Sequence, residues 1–126
     1  MKLDVKELIA KLTNTPMIVE EGTSGIWTYR KWSDGIAECW GLQAFSNLAM
    51  TAQETYGYYA PLQTISLPNG LFISTPVVTL GVHEGGALGN FTIGSLTTTQ
   101  VSGYFWATRS VTKGVTLFIR AEGRWK

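Results

Sequence analysis

The strongest constraint on the fold is an alternation of apolar and polar residues near the C-terminus. Between Gly114 and Glu122, apolar residues occupy every second position: Val115, Leu117, Ile119 and Ala121. Successive side chains of a β-strand point to opposite faces, so this period of two predicts a strand with one buried face. It is the clearest strand signal in the chain.

Six further segments have the composition of short strands and are separated by Gly, Pro, Asn and Asp. With the C-terminal one, the candidates are Ile26 to Trp32, Ile36 to Trp40, Gln63 to Leu67, Val77 to Val82, Asn90 to Leu96, Val101 to Thr108 and Gly114 to Glu122. Short strands with turn signals at near-regular spacing predict an all-β fold, an antiparallel β-sandwich or jelly-roll-like domain.

Two tripeptides predict tight hairpins, and one segment resists assignment. Ser33-Asp34-Gly35 supplies a Gly after Asp between the first two candidate strands. Thr112-Lys113-Gly114 has similar turn residues between the last two. Residues Leu42 to Tyr59 lack alternation and are compatible with strand, loop or a helical turn.

The N-terminus predicts a short α-helix, because apolar residues fall at helical spacing over residues 2–12. Asn14, Thr15 and Pro16 end it, since proline disfavours helical geometry in the residue before it. We therefore divide the chain into a helix and linker over residues 1–16 and a β-sandwich domain over residues 17–126. The apolar seam is too short for a stable coiled coil on its own. Two alternatives stay open: the helix docks on its own domain, or it meets symmetry mates.

The charge pattern restricts the possible partners. Charged residues make up 15% of the chain, against about 25% in average proteins, which indicates a further buried surface such as a self-association interface. No Lys or Arg occurs from Cys39 to Thr108. Because nucleic-acid binding depends on cations that neutralise phosphates, we expect no nucleic-acid partner.

The residues that carry catalysis are scarce. Cys39 and His83 are the only cysteine and histidine, which excludes an internal disulfide and a multi-Cys or multi-His metal site. The glycine-rich stretch that begins at His83, HEGGALGN, lacks the ending of a phosphate-binding loop. No spacing singles out a catalytic pair among Asp34, Glu38, Glu54 and Glu84. We expect no enzyme activity, no cofactor and no metal.

Nothing in the sequence predicts export through a signal peptide or insertion into a membrane. The N-terminal MKLDVKELIAKL mixes charges into its apolar pattern and so lacks the apolar core of a signal peptide. No run approaches the roughly 18 apolar residues of a membrane span. We expect the chain to be made and folded in a reducing cytoplasm.

The aromatic residues supply the candidate binding site. Most of the tryptophans are expected in the core or an interface, because each buries a large apolar area. Tyr56, Tyr58 and Tyr59 lie in a glycine-containing, poorly patterned segment, and loop aromatics on a rigid β-scaffold commonly form binding sites. Packing over the end of the sandwich is the alternative for them. In the strand that begins at Val101, alternation places Tyr104 and Trp106 on the face opposite Phe105. That face is either an interface or a surface on which a sugar stacks. A turn at His83 and Glu84 completes the candidate set.

Three segments carry a resemblance to a known family: GIWTYRKWSDGIAECWG at residues 25–41, LPNGLFISTPVV at residues 67–78 and RAEGRWK at residues 120–126. They resemble the C-terminal tip domains of phage and prophage tail-fibre or receptor-binding proteins. The resemblance implies a homotrimeric β-sandwich on a fibrous shaft, assembled with other tail proteins in the virion tail. It also implies adhesion to a bacterial surface glycan or protein. The family has no fixed motif of binding residues, so the resemblance assigns no contact residue.

Two other functions remain open from the sequence. One is a glycan-degrading tailspike module with carboxylates at a subunit interface. The other is a structural virion protein that binds only other virion proteins.

Overall fold

The computed structural model describes residues 4–83 and 89–126, which form one short helix and two antiparallel five-stranded sheets. The elements are α1 (Val5–Thr13), β1 (Ile18–Ser24), β2 (Trp27–Trp32), β3 (Ile36–Met50), β4 (Ala52–Glu54), β5 (Gly57–Tyr59), β6 (Gln63–Ser66), β7 (Val77–His83), β8 (Gly89–Leu96), β9 (Gln100–Ala107) and β10 (Val111–Arg124). The predicted all-β fold with a short N-terminal helix is confirmed.

The two sheets have different organisations. The first sheet has the strand order β1-β2-β3-β10-β7, and the long strands β3 and β10 pair along almost their whole length. The second sheet is built around β9, which pairs with β8 on one edge and with β5 and β6 in succession on the other. Both sheets contribute residues to one shared core.

Alternating residues of the central strands fill the space between the sheets. Leu117 and Ile119 of β10 and Phe105 of β9 are almost fully buried. The Phe105 ring meets Phe45 edge-on at 5.1 Å and Phe91 at 4.8 Å between ring centroids, so it joins the two sheets. The alternation that predicted β10 is thus the core face of the first sheet.

All seven predicted strands are present, but the structure adds three and changes the end of the chain. β1, β4 and β5 were not among the seven, and β3 continues ten residues beyond Trp40, to Met50. The predicted hairpin at Ser33-Asp34-Gly35 is confirmed, with Gly35 at φ 96°. The predicted hairpin at Thr112-Lys113-Gly114 is wrong, because β9 and β10 lie in different sheets and these residues belong to β10.

Three tryptophan N–H groups hold distant segments together. Trp27 Nε1 donates to the Ser66 carbonyl at 2.8 Å and so links β2 to β6 of the other sheet. Trp125 Nε1 donates to the Trp32 carbonyl at 2.8 Å, and Trp32 Nε1 donates to Glu38. The C-terminal segment is thereby fastened to the β2–β3 hairpin.

The helix is capped at its start but barely packed. The Asp4 carboxylate accepts a hydrogen bond of 2.8 Å from the Glu7 amide, which is the usual N-cap arrangement. The large apolar side chains of α1 remain 42–77% exposed in the single chain: Val5, Leu8, Ile9 and Leu12. Docking on its own domain therefore does not bury this seam. No helix in the described parts of the chain has the length and hydropathy needed to cross a bilayer.

Cys39, in β3, is a core residue with a free thiol. Its side chain is fully buried among the inward residues of the first sheet. Burial raises the pKa of the Cys39 thiol to about 12, because the charged thiolate would lose its hydration. The thiol is therefore protonated and unreactive at neutral pH.

Candidate functional site

An open pocket of about 610 Å³ lies over the outer face of the second sheet and is lined mainly by aromatic rings. Its lining residues are Glu54, Thr55, Tyr56, Gly57, Tyr58, Tyr59, Thr92, Tyr104 and Trp106. The volume is within the roughly 300–1,000 Å³ of small-molecule sites. We call this cavity the aromatic pocket.

The β4–β5 hairpin forms one side of the aromatic pocket. Glu54 pairs with Gly57 across the hairpin, which leaves Thr55 and Tyr56 as a two-residue turn. Tyr56 stands at the tip and is 93% exposed. A large ring held in solvent by a tight turn contributes little to the core and is available to a ligand.

Strand β9 forms the floor of the aromatic pocket. Its inward residues are buried, and the period of two therefore turns Tyr104 and Trp106 to the outer face. Tyr59 pairs directly with Trp106 across β5 and β9, so their side chains share that face. The pairing of β5 with β9 brings residues almost fifty positions apart into one site.

Two contacts orient the rings of the floor. Trp106 Nε1 donates a hydrogen bond of 3.1 Å to the Thr92 hydroxyl. The Tyr59 ring stands at 88° to the Tyr104 ring, with 6.0 Å between centroids. Thr92 itself is the cross-strand partner of Tyr104 in β8. The floor is thus built on three paired strands, which reduces the entropy lost when a ligand binds.

The polar groups of the aromatic pocket are mostly hydroxyls. Within the described parts of the chain, no hydrogen bond involves the phenol oxygens of Tyr56, Tyr58, Tyr59 or Tyr104. Each phenol can both donate and accept. Glu54 is the one charged residue of the lining that the structure describes. The site therefore offers flat apolar surfaces surrounded by donors and acceptors.

The structure brings together five of the seven candidate residues. Tyr56, Tyr58, Tyr59, Tyr104 and Trp106 all line the aromatic pocket. His83 does not, because it ends β7 at the edge of the first sheet, opposite Thr116. Glu84 lies outside the described residues.

Glu54 and Thr92 were not predicted as parts of a binding site. Thr92 could have been found from the register of the β8–β9 hairpin, which places it opposite Tyr104. Glu54 could have been found only once Glu54 and Gly57 were paired around the turn.

The described residues form no cluster that could hold a metal ion, and Glu38 is engaged on the first sheet. Across residues 4–83 and 89–126, no three His, Cys, Asp or Glu side chains are grouped to hold a metal ion. Glu38 bonds to Arg120 and to the Trp32 indole on the first sheet. It is therefore engaged in a structural contact of the first sheet, whereas Glu54 belongs to β4 of the second sheet.

Comparison with known proteins finds a similarity of structure alone. No protein-family model matches the sequence, and no curated protein matches it. An N-truncated R1-type pyocin tail fibre superposes with a TM-score of 0.63 at 12% identity, covering 98% of this chain and 99% of that one. A Pseudomonas aeruginosa R1 pyocin fibre fragment comprising C-terminal residues 323–701 gives a TM-score of 0.64 at 11% identity, covering 96% of this chain and 32% of that one. The resemblance seen in the sequence is confirmed at the level of fold: the chain has the fold of an R1 pyocin tail-fibre domain.

Proposed function

We propose that this chain is the tip domain of a phage tail fibre and that it attaches the virion to a bacterial surface glycan or protein through the aromatic pocket. The observation that carries the proposal is a cluster of aromatic rings on the outer face of the second sheet of a tail-fibre fold. Other tail proteins are the expected partners at the opposite end of the fibre.

The form of the aromatic pocket favours adhesion over catalysis. Glycoside hydrolysis generally uses two carboxyl groups on either side of the scissile bond. Glu54 is the one carboxylate in the described lining, and its neighbours there are aromatic and hydroxyl side chains. Such a lining can hold a ligand by stacking and hydrogen bonds.

Binding to whole cells tests the proposal. The purified chain, labelled with a fluorophore, is incubated with a panel of bacterial strains, and cell-bound fluorescence is measured. We expect saturable binding to a subset of the strains. Binding to none, together with incorporation into particles, would instead support a purely structural virion protein. Shortening of a host polysaccharide that disappears in the Glu54→Gln variant would support a tailspike enzyme.

We further propose that the chain is a homotrimer with α1 near the three-fold axis. Two observations support this: the charged fraction is only 15%, and Val5 and Leu12 of α1 are 71% and 77% exposed in the single chain. Assembly would bury that seam. Three pockets on one fibre would also increase avidity, because linked sites bind at a high effective concentration.

Light scattering at micromolar concentration tests the trimer. We expect three times the 13.8 kDa mass of one chain. The double variant Leu8→Asp, Leu12→Asp should shift the mass toward the monomer, because it places carboxylates in the apolar seam. Lys6→Asp, on the polar side of the same helix, is the matched control and should remain trimeric. A monomeric wild-type chain would contradict the proposal.

A further inference from the structure

We infer that the aromatic pocket takes an uncharged sugar residue and discriminates against acidic glycans, with Glu54 as the discriminating residue. The inference rests on the proposed function and names the class of ligand for the same site. It follows from the ring surfaces, the hydroxyl groups and the distribution of charge in the pocket.

The ring surfaces fit the apolar face of a sugar. The face of an aromatic ring carries partial negative charge and attracts weakly positive C–H groups. Trp106 has its N–H engaged by Thr92 at 3.1 Å, so its ring orientation is fixed and its polar edge is already satisfied. Tyr104, 40% exposed, continues the same outer face of β9. This surface can stack against a sugar ring without reorganising.

The hydroxyl groups fit the rim of a sugar. Four phenols line the pocket, and none of them hydrogen-bonds to another described residue. A sugar presents several hydroxyls that both donate and accept, which is the property the phenols share. Glu54 can accept from two neighbouring sugar hydroxyls, because each of its carboxylate oxygens has free acceptor positions. An uncharged sugar would therefore satisfy these groups without needing a counter-charge.

The distribution of charge disfavours an anion. The sequence has no Lys or Arg between Cys39 and Thr108, the region that supplies all the lining residues that the structure describes. Three basic residues of the first sheet form ion pairs within it: Arg30 with Glu21, Lys31 with Glu20 and Arg120 with Glu38. A carboxylate or sulfate entering the pocket would meet the like charge of Glu54, and no Lys or Arg is among the described lining residues to offset it.

Polysaccharide competition tests the inference. Surface polysaccharide is extracted from a strain that the chain binds, and its neutral and uronic-acid-containing fractions are separated by anion exchange. Each fraction then competes with the labelled chain for the cells. We expect the neutral fraction to compete. The acidic fraction should compete about fivefold or more better after its carboxyl groups are reduced to alcohols, because reduction removes the repulsion from Glu54.

The variants separate the role of Glu54 from general charge effects. The measured quantity is the difference in competing strength between the acidic fraction and its reduced form. Glu54→Gln should make this difference smaller. For the wild type, 0.5 M salt should also make it smaller, because salt screens the repulsion. Glu122→Gln, an exposed carboxylate change on the first sheet, is the matched control and should leave the difference unchanged.

Several outcomes would overturn the inference while leaving the proposed function intact. The acidic fraction could bind better than its reduced form, glucosamine oligomers could bind more tightly than their N-acetylated forms, or binding could survive periodate oxidation of the cell-surface sugars. If the wild-type chain bound none of the strains, that result would instead overturn the proposed function itself.

Discussion

Replacing Gly103 by alanine is expected to lower the free energy of unfolding by about 2–3 kcal/mol, a typical cost of forcing extra atoms into a packed interior. Gly103 lies in β9 between β6 and β8, opposite Gln63 on one edge and Ile93 on the other. A Cβ at this position would stand 2.1 Å from the Thr92 carbonyl oxygen and 2.8 Å from Cζ of Phe91. The backbone of β8, the strand that positions Thr92, would therefore have to move.

Urea denaturation at one fixed protein concentration measures this effect, because assembly makes apparent stability depend on concentration. Gly81→Ala is the matched control: Gly81 lies in β7, and its added Cβ would find the nearest atom, Cβ of Phe118, at 3.8 Å. That variant should differ from the wild type by no more than about 0.5 kcal/mol. Equal free energies of unfolding for the two variants would contradict the prediction and would show that the β8 backbone moves at Thr92 with little cost.

The alternation of residues predicted those strands whose pairing is regular. β10 was clear because Leu117, Ile119 and their neighbours face one continuous core. The continuation of β3 was obscured because Asn47, at φ 50°, interrupts the period: inward positions include Phe45 and then Leu48, an odd spacing. The paired strand is irregular at the same level, between Lys113 and Val115. A bulge of this kind moves the side chain of every later residue to the opposite face of the sheet, and the local sequence does not predict it.

Strand β1 escaped prediction for a different reason. Its sequence, IVEEGTS, has two adjacent apolar residues followed by polar ones, so no alternation is present. It is an edge strand that pairs with β2 alone, and two ion pairs, Glu21 with Arg30 and Glu20 with Lys31, accompany the pairing. None of its side chains is fully buried, so the core imposes no alternation on its sequence. Its pairing with β2 therefore decides its conformation.

The candidate site was predictable in its parts and not in its assembly. Alternation around Phe105 correctly turned Tyr104 and Trp106 away from the core. The tyrosine segment was recognised by its composition. That the two would meet depended on the pairing of β5 with β9, a contact between distant segments that no local pattern encodes. The same pairing explains why Glu54 was not recognised as a neighbour of the aromatic rings.

Trp106→Ala is expected to weaken binding to a receptive strain by about 30- to 1,000-fold, in the range of a central aromatic residue of an interface. The substitution removes the largest ring of the pocket floor and leaves the Thr92 hydroxyl without its donor. Thr92→Val, which keeps the ring but removes its hydrogen-bond acceptor, should have a smaller effect, because it loosens the orientation of Trp106 without deleting the surface.

Tyr56→Ala distinguishes loss of binding from loss of folding. Tyr56 is 93% exposed at the hairpin tip, so its truncation should leave the free energy of unfolding almost unchanged. It should still weaken cell binding about tenfold, since the ring forms one wall of the aromatic pocket. Phe118→Ala is the control: this aromatic ring is 42% exposed on the first sheet and does not line the pocket. If Trp106→Ala and Tyr56→Ala bind cells as tightly as Phe118→Ala and the wild type, the receptor does not contact the aromatic pocket, and the surface that it does contact must lie elsewhere on the fold.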